Sequence, residues 1–127
     1  MKLLLDTHTL MWVDSDSSRL SSACKQALQD PANETWFSAA SIWEIQIKVA
    51  LRKLSLRAPL ETILQVQLAN NLRELPIRSS HAIALAQLPS VHKDPFDRIL
   101  AAQAIVEDMT LVTSDAVFSK YPVKTLW

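Results

Sequence analysis

No glycine occurs anywhere in this 127-residue sequence, where average usage of roughly 7% would place about nine. That absence constrains the fold and the chemistry together. A dinucleotide-binding fingerprint, a phosphate-cradling P-loop and the nucleophile elbow of α/β-hydrolases all place glycine where the backbone turns tightly or approaches a ligand. All three classes are therefore disfavoured, and any chemistry here falls to side chains.

The length suits a single domain over residues 1–127 with a real hydrophobic core. Hydrophobic residues make up 49% and charged residues 20%, a globular balance. No apolar run reaches membrane-spanning length, and the opening Met1-Lys2-Leu3-Leu4-Leu5 is broken by Asp6 before it could form a signal-peptide core. A cytoplasmic protein with no membrane partner is expected. The one cysteine, Cys24, allows no internal disulfide, and His8, His81 and His92 are too scattered for a zinc cluster. Net charge is 0 from 13 basic and 13 acidic residues. If five acids were neutralised in one metal cluster, the rest of the surface would carry +5, enough to hold a polyanion.

Short apolar runs alternate with helical periodicity, the pattern of β-α-β units around a parallel sheet. The apolar runs predict strands at 2–5, 35–39, 74–77, 111–113 and 123–127. Helical patterns cover 7–13, 21–29, 41–51, 59–70, 80–87 and 95–107, with a helical turn at 115–120. Cys24 lies in phase with Leu20, Ala27 and Leu28, which makes it a core thiol.

The acids fall in suggestive places. Asp6 ends the first strand, and Asp115 comes two residues after the strand 111–113. Glu44, Asp94 and Asp97 lie in the first turns of their helices. In an open parallel sheet, strand ends and the starts of following helices share one rim, where ligands bind. Each acid except Asp6 also has a local explanation. Ser41-Ile42-Trp43-Glu44 fits a capping box, Asp94-Pro95-Phe96-Asp97 fits an N-cap with proline at N1 and acid at N3, and Asp115 fits a turn or cap. A carboxylate directly after a buried strand, like Asp6, has no such routine role. Five acids on one rim would repel one another unless a cation neutralised them. An all-oxygen set points to Mg²⁺ or Mn²⁺, and such a site activates water for phosphodiester hydrolysis.

Four segments in order, Leu4-Leu5-Asp6-Thr7-His8, Ser38-Ala39-Ala40-Ser41-Ile42-Trp43-Glu44-Ile45, His92-Lys93-Asp94-Pro95-Phe96-Asp97-Arg98 and Leu111-Val112-Thr113-Ser114-Asp115, resemble the successive motifs of PIN-domain ribonucleases of the VapC toxin type. They span the chain almost end to end. The resemblance implies a PIN-like three-layer α/β fold with a central, mostly parallel sheet flanked by helices. It also implies a metal-dependent endoribonuclease acting on RNA, and a small DNA-binding antitoxin as partner. By motif, Asp6, Glu44, Asp97 and Asp115 would be the catalytic, metal-binding acids, with Asp94 the less certain ligand. A homodimer is expected as well. The sequence departs from its relatives at Arg52 and Asp108, where glycine is common. Arg52 is expected to prolong its helix, and Asp108 to tolerate the left-handed conformation.

Lys48, Arg52, Lys53 and Arg57 form a basic run without an intervening acid. It reads either as a solvated helix face or, for Lys48, Arg52 and Lys53, as a phosphate-holding RNA surface, with Arg98 pairing with a carboxylate or meeting a phosphate. His8 and His92 flank motif acids and are expected to hydrogen-bond them. Trp12, Trp36, Trp43 and Trp127 have core, interface or base-stacking readings. Three other functions remain open: a PIN-fold nuclease without a toxin role, a non-catalytic binding module, and a haloacid-dehalogenase-like phosphatase. That last family has a second Asp where His8 stands, which counts against it.

Overall fold

A computed structural model describes all of residues 1–127. Its sheet has five strands in the order β3-β2-β1-β4-β5, namely β1 Lys2–Leu5, β2 Glu34–Ser38, β3 Arg73–Leu75, β4 Thr110–Val112 and β5 Thr125–Leu126. Every pairing is parallel, and β1 is central between β2 and β4. Six helices cover it: α1 Thr7–Ser15, α2 Ser22–Gln29, α3 Ala39–Ala50, α4 Leu60–Ala69, α5 Ser79–Ala84 and α6 Pro95–Val106.

The alternation of strand side chains makes three layers. Leu4 and Leu111 point to one face, into a cluster with Leu75, Leu100, Ala101, Ala104 and Phe118, the face that α6 covers. Leu3, Leu5 and Val112 point to the other, where Leu10, Cys24, Phe37 and Ile45 pack under α1, α2 and α3. The Cys24 thiol is fully buried, and burial raises its pKa, with Asp6 adding to the effect, so it stays a neutral packing group. The chain moves from β1 outward through β2 to β3, then returns to β4 on the other side of β1. The crevice beyond the carboxyl ends of β1 and β4 is therefore the topological switch point, where open α/β sheets bind ligands.

Two local expectations fail. Helix α3 begins at Ala39, not at 41, because the Ser38 hydroxyl accepts from the Ala40 amide and caps the helix. Ser41 is thus inside the helix and Glu44 in its second turn, so the capping box is absent. Arg52 does not prolong α3 either. The helix ends at Ala50, and Arg52 takes φ 57, the left-handed value glycine would adopt more easily. Asn71 at φ 69 and Asp108 at φ 52 do the same, so three reversals that glycine usually serves are made without it.

Candidate active site

Asp6 sits at the switch point. Its amide donates to the Val112 carbonyl, and its side chain caps α1 through the Thr9 amide at 2.7 Å. The other carboxylate oxygen accepts from the Thr113 hydroxyl at 2.6 Å. Asp6 has only 5% of its surface exposed, and these charge-assisted bonds are what keep a buried carboxylate tolerable. Thr113 Oγ1 in turn accepts from the Asp115 amide, which ties the β4 end to Asp6.

Glu44 is also buried. Its Oε1 accepts from the Thr7 hydroxyl at 2.6 Å, and Oε2 lies 2.8 Å from the Lys48 ammonium one turn along the helix. Thr7 follows Asp6 directly, so the start of α1 positions both carboxylates. Asp97, half-buried on α6 where it packs against α3, is held differently. Its Oδ2 lies 3.2 Å from His92 Nε2, and His92 Nδ1 meets the Tyr121 hydroxyl. An ionised carboxylate only accepts, so Nε2 carries the ring proton and Nδ1 accepts from Tyr121. Arg98 completes the chain by donating to Tyr121 and to the Pro89 and Leu85 carbonyls, which fixes the loop bearing His92.

Burial raises the Asp97 pKa to about 6 from 3.8; the His92 hydrogen bond opposes this, and the Asp94 and Glu44 charges add to it. Asp94 and Asp115 lie outside this group. Both are exposed, and both cap helical turns: Asp94 accepts from the Phe96 and Asp97 amides, and Asp115 from that of Val117. The five acids thus share a rim, with Asp6, Glu44 and Asp97 drawn inward. No three Asp, Glu, His or Cys side chains converge closely enough to enclose a metal ion. Each inner carboxylate is held by its own donor instead.

The basic residues divide. Lys48 is committed to Glu44, Arg57 forms a forked pair with Asp14, and Arg52 and Lys53 are exposed. Arg98 pairs with no carboxylate and turns toward Tyr121 and loop carbonyls. His8 also bonds no acid; it is exposed and stacks on Trp12 with ring centroids 5.9 Å apart. Two contributors escaped the sequence reading. Thr7 was signalled only by standing beside Asp6, and Tyr121, remote in sequence, gave no signal.

The PIN-domain family profile matches residues 3–124. The chain belongs to the PIN-domain family. It is 36% identical over 114 residues to Ribonuclease VapC22 of Mycobacterium tuberculosis (strain ATCC 25618 / H37Rv), covering 89% of this chain and 86% of that protein. Among solved structures, this PIN fold is similar to that of VapBC2 from Rickettsia felis bound to a DNA fragment from their promoter, with TM-score 0.77, 19% identity and coverage of 99% and 98% of the two chains. It also resembles DNA-bound VapBC from Salmonella typhimurium, with TM-score 0.70, 16% identity and coverage of 99% and 97%.

Proposed function

We propose that this PIN domain is a metal-dependent endoribonuclease and the toxin of a toxin-antitoxin pair. The observation that carries the reading is the grouping of Asp6, Glu44 and Asp97 at the switch point, with an acid there that resists ionisation. The kinship with a ribonuclease supports RNA as substrate. Similarity to VapBC complexes on DNA supports a small DNA-binding antitoxin as partner, one whose segment covers the acidic rim. The proposed setting is the cytoplasm, and no helix is long and apolar enough to cross a membrane.

The donor set suits a hard cation. Carboxylate and hydroxyl oxygens are the chemistry of Mg²⁺ or Mn²⁺, and Mg²⁺ is commonly held by only one or two carboxylates with water completing its shell. A full protein cage is therefore unnecessary. Asp6, Glu44 and Asp97 would hold the ion, one or two of them directly and the rest through its bound water, with Asp115 and Asp94 at the outer rim. When bound, it supplies activation of water and neutralisation of phosphoryl charge. The protein's own residues fix the oxygens: Thr113 and the Thr9 amide aim Asp6, Thr7 aims Glu44, and the Tyr121-His92 pair aims Asp97.

A homodimer is also proposed. Trp43, 60% exposed, and Phe96 meet edge to face and line an apolar cleft of about 230 Å³ with Ala40, Ile77, Pro95 and Ile99. An apolar patch of this kind beside a polar site marks a partner surface. The phosphatase alternative weakens further, because His8, which replaces that family's second acid, faces Trp12. The purified chain, freed of partner, is expected to cut single-stranded or looped RNA with Mg²⁺ or Mn²⁺ and to stop in chelator. Cleavage undiminished by chelator refutes the metal mechanism, and harmless overexpression removes the toxin role.

A further inference from the structure

Beside the acidic rim runs an open groove of about 400 Å³ between α1 and residues 48–55. It starts at the catalytic carboxylates, because Thr7 and Lys48, which both bond Glu44, form part of its wall. Further along it is lined by His8, Trp12, Arg19 and Lys53. The aromatic rings form a connected set: His8 stacks on Trp12 at 23° between planes, and Trp127 meets Trp12 at 5.7 Å. The Arg19 guanidinium lies 5.8 Å from the Trp12 ring. Of the three cations in its wall, Lys48 is paired with Glu44 and Arg19 with Asp16 at 3.1 Å, which leaves Lys53 unpaired.

Building on the nuclease reading, we propose that this groove is the subsite for the single-stranded RNA flanking the scissile phosphate. Bases stack on the His8-Trp12 platform, and backbone phosphates meet Lys53 and Arg19. Charge decides the occupant. The lining sets the unpaired Lys53 ammonium beside flat rings, which is the chemistry of a single-stranded polynucleotide site and needs no sequence-specific hydrogen bonds. An acidic peptide would satisfy the cations but would leave the stacked rings without a flat partner. Lys53 is the cation whose ammonium has no carboxylate partner in the structure, so it can receive a phosphate at no loss elsewhere. His8 is exposed on the first turn of α1, two residues after Asp6, so a base stacked on it stays close to the rim.

The test uses the full chain, a fluorescein-labelled single-stranded oligoribonucleotide of about 12 nucleotides, and bis(p-nitrophenyl) phosphate as a substrate too small to reach the groove. His8→Ala and Lys53→Ala change surface residues, whereas Trp12→Ala would open the core. In chelator, anisotropy titrations should show His8→Ala weakening oligonucleotide binding about 10-fold. Lys53→Ala should reduce the salt slope by about one unit. With metal, both should raise KM for the oligonucleotide, leave kcat within about twofold by uniform-binding logic, and leave hydrolysis of the small ester unchanged. Lys124→Ala, on the far side of the domain, should match the wild type. Variants that bind RNA normally but lose affinity for a co-expressed partner protein would overturn the proposal and give the groove to that protein. A Lys124→Ala effect equal to that of Lys53→Ala would overturn it as well. If the wild type cuts both substrates and the groove variants leave KM unchanged, the groove alone is refuted; if it cuts neither, the nuclease reading falls and the groove with it.

Discussion

Asp97→Asn should make the metal-free protein more stable while destroying its activity, and the gain should depend on pH. Folding raises the Asp97 pKa from 3.8 to about 6, chiefly through burial. Two pH units correspond to about 3 kcal/mol. The sign follows from proton binding. Between the two values the folded state holds the proton more tightly than the unfolded chain, so stability falls as pH rises through that window. Below pH 3.8 the carboxyl is neutral in both states and the penalty vanishes; above about 6 it is complete. Asn carries no charge at any pH and can still meet His92. Melting curves in chelator should therefore converge for wild type and Asp97→Asn near pH 4 and separate by several degrees, with a ceiling of about 10 °C, at pH 7.5. Added Mg²⁺ should close the gap from the wild-type side, since a ligand bound only by the folded state stabilises it. A gap that is constant across pH, or an Asn variant that melts lower at pH 7.5, would refute the account of Asp97 as a carboxylate strained by burial.

Asp94→Asn keeps a competent N-cap and should retain most cleavage activity and nearly wild-type melting, because the Asp94 side chain serves the Phe96 and Asp97 amides. A dead Asp94→Asn enzyme beside an active Asp97→Asn enzyme would exchange the two roles. His92→Ala should lower cleavage by about 10- to 100-fold, the cost of losing a group that orients a metal-binding carboxylate; Tyr121→Phe, which keeps the ring and breaks the relay, should show a smaller loss in kcat. Normal rates in both would release Asp97 from this control. Arg52→Gly should raise unfolding stability by about 1 kcal/mol by removing a side chain from the left-handed conformation, measured by urea midpoints; a destabilised variant would mean that the Arg52 side chain contributes more than its backbone costs.

Much of this arrangement is legible in the sequence because it rests on local rules. A short apolar run ended by Asp6 fits a buried strand reaching a rim, and Asp94-Pro95-Phe96-Asp97 announces a helix start by capping chemistry alone. The start of α3 is misplaced because Ser38 and Ser41 both offer a capping hydroxyl. Ser38 takes the role, since β2 ends there, while Ser41 Oγ lies 3.0 Å from the Thr7 hydroxyl. The Tyr121-His92-Asp97 relay leaves no trace in spacing. Tyr121 comes from the far end of the chain, and the contact is braced by Arg98, which donates to Tyr121 and to the Leu85 and Pro89 carbonyls. His8 misled for the opposite reason: standing two residues from Asp6 suggests a bond, but a residue two positions on along a helix points elsewhere, here onto Trp12 four positions further.

A chain without glycine is poorly suited to backbone nests that cradle phosphate, so its rim manages anions with side chains, and the inner acids show how. Asp6 is satisfied by an amide and a hydroxyl, and Glu44 by a hydroxyl and the Lys48 ammonium. Asp97 has only the His92 ring as its partner and lies within the field of Glu44 and Asp94, so the unresolved repulsion of the rim collects there. The residue with the most raised proton affinity is also the one that gains most from a cation. Lys48 bears on this too, since its ammonium already supplies one positive charge to Glu44. Removing it, as in Lys48→Ala, would add Glu44's uncompensated charge to the field at Asp97 and raise its proton affinity further. The stability of the metal-free protein and the acidity of its site are therefore linked through two neighbouring carboxylates on packed helices, and a change at either one should be felt at the other.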